Sequence, residues 1–240
     1  MKNAFFLLFP AFLISCGDNK PAVNIDSLKT DSALRALDAR ATSPTAINAD
    51  TAHTEALPPV YEGDIVMQIS EKPEHLAFGK ACNSKYNHVG IIFIRPRDRM
   101  YIVMEANDSV GAMPLKEWAD RGQGKHVALM RLKNSNQILN EKKTERLKKG
   151  AKDFRGKRED FYYSWSDEAF YSTELAWKLY DNTLNIKICE PGKLGDLDLS
   201  GASTASRMKE KYGANIPKNE NLISPDAIYK SPKMVVIYER

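Results

Sequence analysis

Apolar and polar positions divide the chain into a short apolar leader, a long polar stretch and a patterned remainder. Beyond residue 60, apolar runs of strand length recur between turn residues: 63–68 (GDIVMQ), 89–94 (VGIIFI), 101–106 (YIVMEA), 126–132 (HVALMRL) and 233–238 (KMVVIY). Residues 96–99 (PRDR) are a turn by composition, and 74–82 read as a short helix or loop. Residues 137–154 space Ile138, Leu139, Leu147, Ala151 and Phe154 among Lys and Glu, the pattern of one amphipathic surface helix. A helix over 203–212 stops at Gly213, and Ser224-Pro225 opens another with Ser as N-cap. In 170–180 (FYSTELAWKLY), Ser172, Leu175, Ala176 and Leu179 fall at i, i+3, i+4 and i+7, one inward face of a helix. Strands first, then this helix, then a returning strand predict an α+β domain over 61–240, its mostly antiparallel sheet packed against helices.

The leader reads as an address. Lys2 precedes the apolar run 4–14, which is too short for a stable span and fits a secretory signal. Its end, Leu13-Ile14-Ser15-Cys16-Gly17, resembles the bacterial lipobox, which implies lipidation of Cys16 and a mature chain starting there. Residues 17–60 are rich in Ala, Thr, Ser, Asp and Asn, bury little, and read as a flexible tether closed by Pro58-Pro59. Together these predict a lipid-anchored protein of the bacterial cell envelope, in periplasm or outer membrane, held at a bilayer by its acyl chains.

Charge changes little. Residues 1–60 hold five Lys and Arg against six Asp and Glu, leaving thirty against twenty-five, an excess too scattered to argue for nucleic acid. Cys16, Cys82 and Cys189 lack C-x-x-C spacing, which argues against a zinc cluster or a disulfide framework; Cys82–Cys189 is the bridge an oxidising compartment would allow. No cofactor or metal is expected, and a trio of His88, Glu105 and His126 matches no common ligand spacing.

The candidate chemistry lies in three residues. Ser172, the polar member of its stripe, falls near a helix start, where unpaired N–H groups favour developing negative charge. If 96–99 form the hairpin loop, Arg95 pairs with Met100 and Gly90 lies opposite Glu105. His88 then shares a face with Glu105 as its diagonal neighbour, with Gly90 leaving open space between them. A one-residue slip would part the two. A carboxylate behind an imidazole is the supporting half of a nucleophile–base–orienter set. Each also has a plain structural reading: a buried histidine, an arginine-paired glutamate, a serine bonded to backbone. The aromatic segment 161–165 either packs or walls a pocket.

Taken together, GDIVMQ, SKYNHVGIIF, YIVMEA, FYSTELAWKLY and ISPDAIYKSP resemble the YiiX/YebB-like permuted papain-like amidases of the NlpC-type cysteine hydrolase superfamily. The resemblance covers about residues 61–240 and implies a permuted papain-like fold. It also implies His88 as general base, Glu105 as its orienter and position 172 as nucleophile, with helix-start N–H groups facing the oxyanion. Substrates would be envelope peptides or N-acyl amino acids. The family's Tyr-Cys-Thr/Ser-Glu-Leu motif falls on Tyr171 to Leu175, where this chain has Ser172 in place of cysteine. Three readings stay open: an inactivating substitution, a natural binding module, or a working Ser-His-Glu hydrolase. Lipid acyl transfer, known among related folds, is a further alternative.

Overall fold

A computed structural model of the chain describes residues 58–240. The expectations for the signal peptide, for Cys16 and for the tether up to residue 57 lie outside the described residues. Val60, assigned to the tether by its composition, is buried, and Pro59 O accepts from Arg131, so the packed domain begins slightly earlier than expected.

In chain order the elements are β1 (Ile65–Gln68), α1 (Pro73–Ala81), β2 (His88–Ile94), β3 (Tyr101–Asn107), β4 (Ser109–Pro114), α2 (Leu115–Arg121) and β5 (Val127–Leu132). There follow α3 (Ser135–Ile138), α4 (Glu141–Phe154), β6 (Arg158–Glu159), β7 (Ala169–Phe170), α5 (Ser172–Leu184) and β8 (Gly192–Lys193). The chain closes with α6 (Ala202–Tyr212), β9 (Asn221–Leu222), α7 (Pro225–Tyr229) and β10 (Met234–Glu239). Eight strands form one sheet in the order β10-β5-β1-β2-β3-β4-β6-β7, with every pair antiparallel except β6–β7. The fold is α+β, as the strand and helix pattern predicts.

Alternation along the strands builds two cores. Ile65, Met67, Ile91, Phe93 and Met104 point to the face covered by α5 and α4. Val66, Ile92 and Val103 point to the other, where Leu115, Trp118 and Ala119 of α2 cover them. The helix expected over 137–154 is two helices, because Asn140 interrupts it and caps the second by accepting from Lys143 N at 3.0 Å. Ser224 caps α7 in the same way, from Ala227 N at 3.0 Å. Cys82 and Cys189 are both free.

The one-faced reading of α5 needs correction. Its residues from Ser172 to Tyr180 are all buried, so these nine residues are enclosed on every side, and only the last turn reaches the surface. Loop atoms therefore satisfy three of its polar side chains. Thr173 Oγ1 donates to Ile223 O at 2.5 Å, Trp177 Nε1 to Cys189 O at 2.9 Å, and Tyr180 Oη to Gly63 O. Among the described residues, no helix is long and apolar enough to cross a membrane.

Candidate active site

The β2–β3 hairpin has the register that a four-residue loop dictates. Arg95 N bonds Met100 O at 2.8 Å, and pairs run from Ile94–Tyr101 to Ile91–Met104. There the ladder stops. By its alternation the amide of Val89 faces β3, and it would next bond Ala106. It donates instead to Ser172 Oγ at 3.3 Å. Ser172 is the first residue of α5, so the helix start sits where β2 and β3 part. That gap brings a helix on one face of the sheet to a histidine on the other. Ser172 Oγ lies within about 6 Å of His88 Cα, as covalent geometry through Val89 N requires.

His88 is fully buried and its Nε2 lies 2.6 Å from Glu105 Oε2. The same oxygen accepts from Trp118 Nε1 at 2.7 Å and Arg121 Nη2 at 2.5 Å. An oxygen that only accepts requires the His88 proton on Nε2, which leaves Nδ1 as a bare lone pair. Among the described residues Nδ1 has no hydrogen-bond partner. Burial pulls the His88 pKa below the usual imidazole range, and charge on His75 and Arg121 acts in the same direction against Glu105. Burial alone would raise the Glu105 carboxyl, but bonds from His88 and Arg121 overcome it and hold the pKa at about 2.

Gly90 does not leave open space between His88 and Glu105. A Cβ there would lie 2.1 Å from Val103 Cγ1, so the valine already fills the position. His126 stands apart, exposed, with Nδ1 3.0 Å from Arg240 O. Trp118 and Arg121, which hold Glu105, escaped the sequence reading because their short helix carries too few turns to show a period. His75 and Glu159 escaped too; they join Ser172, Asn87, Phe161 and Tyr163 in lining a small cleft. The aromatic segment thus both packs and forms a wall, with Tyr163 buried against Phe78 and Tyr171.

Residues 59–238 match the family described as permuted papain-like amidase enzyme, YaeF/YiiX, C92 family. The chain belongs to this family. A permuted papain-like amidase of the C92 family is therefore the frame for its site. The uncharacterized protein YiiX of Escherichia coli (strain K12) is 34% identical over 175 residues, which is 73% of this chain and 84% of that protein. A crystal structure titled metalloprotein yiiX from Escherichia coli O157:H7, DUF1105, superposes with a TM-score of 0.67 at 34% identity. It covers 75% of this chain and 97% of that one. That title describes the relative. In this C92-family chain no three His, Cys, Asp or Glu among the described residues converge to hold a metal ion. Both nitrogens of the buried His75 and the Oε2 of Glu105 are taken by hydrogen bonds.

Proposed function

We propose that the domain hydrolyses amide bonds of cell-envelope peptides or N-acyl amino acids. In this reading the side chain at position 172 attacks, His88 is the base and Glu105 holds the base. The carrying observation is that Ser172 Oγ takes the amide next to His88 while His88 Nδ1 stays bare. Nδ1 accepts the proton as oxygen bonds the carbonyl carbon. The resulting oxyanion faces N–H groups in the first turn of α5, which precede the first helical bond, Leu175 N to Tyr171 O. Protonated His88 then gives its proton to the leaving amine, and water releases the acyl group by the reverse sequence.

A thiol suits this geometry better than a hydroxyl, because a thiolate forms beside an imidazolium near neutral pH. The test incubates the native chain, Ser172→Cys and Ser172→Cys/His88→Ala with peptidoglycan fragments and acyl-amino-acid amides, reading released amine by mass spectrometry. Ser172→Cys should exceed the native chain by about tenfold or more. Its turnover should vanish with His88→Ala. Folded proteins with no turnover in any sample would sink the amidase reading.

Ser172 in place of the motif's cysteine favours one alternative, a binding module that keeps the cleft without the chemistry. It would show ligand-induced thermal stabilisation of the native chain, undiminished by His88→Ala. Activity on phospholipid and none on peptides would point to acyl transfer instead. Envelope anchoring through Cys16 belongs to the same proposal and rests on the leader sequence. Fatty-acid labelling that persists in Cys16→Ala would refute it.

A further inference from the structure

Outside the Ser172–His88–Glu105 set, a second group of titratable side chains is built around α1. His75 Nδ1 lies 2.8 Å from Ser70 Oγ, and Nε2 lies 2.6 Å from Glu159 Oε1. The second Glu159 oxygen accepts from Lys72 Nζ at 2.8 Å and from Asp108 N at 2.6 Å. The His75 ring lies flat on the His88 ring, centroids 4.2 Å apart and planes 13° apart. Trp118 flanks the same ring at 6.0 Å and 21°. Gly79 permits the approach of α1, since a Cβ there would lie 2.6 Å from Asn87 Cβ.

The order Ser70–His75–Glu159 copies that of a nucleophile–base–acid set. Ser70, however, is buried and does not line the cleft, and its Oγ also accepts from Lys72 N at 3.3 Å. The arrangement instead meets a need of His88. Glu105 holds that imidazole at one nitrogen only, and a ring fixed at one atom swings about that bond. A flat neighbour pinned at both its own nitrogens fixes the plane. It also affects charge, because two imidazoles in contact oppose each other's protonation. Around His88 stand Glu105 from β3 with Arg121 of α2 on the same carboxylate oxygen, His75 from α1, Ser172 of α5 at the adjoining Val89 amide, and the buried, neutral Gln68 amide paired opposite on β1.

We propose that His75 is a positioning residue for the chemistry at position 172: it clamps the His88 ring and, paired with Glu159, sets how readily that ring takes a proton. This rests on the reading of His88 as the base. The test works in the Ser172→Cys chain and follows iodoacetamide alkylation of the thiol at position 172 against pH, resolved by peptide mass. Cys189 is pushed up to about 12 by burial and Cys82 higher still, so neither competes near neutral pH.

With His75 intact, alkylation should have a midpoint below the free-thiol value of about 8.5, and this activation should be lost in His88→Ala. His75→Phe keeps a flat ring but discards the charge and both hydrogen bonds. It should keep fast alkylation while moving the midpoint down by about half a unit or more, because a His88 ring freed of the opposing charge holds its proton, and with it the thiolate, more readily. Glu159→Gln should move it the same way, and decides the matter if His75→Phe fails to fold. A purely structural clamp would slow alkylation without moving the midpoint. Unmoved midpoints in folded variants overturn the proposal. Absence of any His88-dependent activation in Ser172→Cys alone overturns the amidase reading, and this inference with it.

Discussion

The amide of Val89 donates to Ser172 Oγ at 3.3 Å, so a helix-start hydroxyl stands where a strand carbonyl would be. One contact therefore does two jobs. It satisfies a buried backbone donor at the end of the β2–β3 ladder, and it fixes the first residue of α5 beside His88.

Removing the hydroxyl should expose the first job. Ser172→Ala leaves the Val89 amide without an acceptor and should destabilise the fold by about 1–2 kcal/mol. Urea unfolding should show a lower midpoint at unchanged slope. Ser172→Cys should fall between the two chains, since sulfur accepts weakly. An unshifted midpoint in Ser172→Ala would mean that the bond contributes nothing.

Glu105 links the site to acid stability. Its pKa is held at about 2 in the folded chain against an ordinary 4.5, because His88 and Arg121 outweigh burial. The folded state therefore binds fewer protons than the unfolded state between those values. The stabilisation is present above pH 4.5 and is lost as pH falls through about 2. Glu105→Gln should cost about 3 kcal/mol at pH 7 and flatten the stability profile below pH 4.5. Denaturant titrations from pH 2 to pH 7 check both.

The hairpin was legible because a four-residue turn and period-two alternation leave one register that buries both runs. That register alone puts His88 and Glu105 on one face. What surrounds them was not legible. SVGAMP alternates too weakly to announce β4, and α2 has only seven residues, so Trp118 and Arg121 carried no local signal. His75 and Glu159 meet across 84 positions, a distance no window of sequence spans. Composition also assigns Val60 to the tether, whereas its burial is decided by the cluster it joins with Val66 and, far along the chain, Ile92 and Val103.

Gly90 marks a close approach rather than the gap that strand alternation suggests, and that difference is measurable. An added Cβ would lie 2.1 Å from Val103 Cγ1 and 3.2 Å from Met104 O. Gly90→Ala should cost about 1–3 kcal/mol through overpacking. Val103→Ala opens the same space, so the double variant should recover part of that cost, giving a coupling of about 0.5–3 kcal/mol in a double-mutant cycle. Strict additivity would show that the valine is not what excludes the methyl.

Glu174 gives the opposite pH dependence at the other end of the scale. It is fully buried, and burial raises its carboxyl to about 8 although Lys178 Nζ lies 2.9 Å away. Lys178 divides its charge, also donating to Ser166 O at 2.7 Å and Asp167 Oδ1 at 2.8 Å. With the folded pKa above the ordinary 4.5, the folded state holds a proton that the unfolded state releases. The contribution is full below pH 4.5 and is lost as pH rises through about 8. Glu174→Gln keeps the shape of the neutral acid and cannot ionise. It should remove the downward slope between pH 5 and pH 9 and leave the variant about 1–3 kcal/mol more stable than the parent at pH 9. Parallel slopes in urea unfolding across that range would show that the buried carboxyl is already ionised in the folded chain, with Lys178 as sufficient partner.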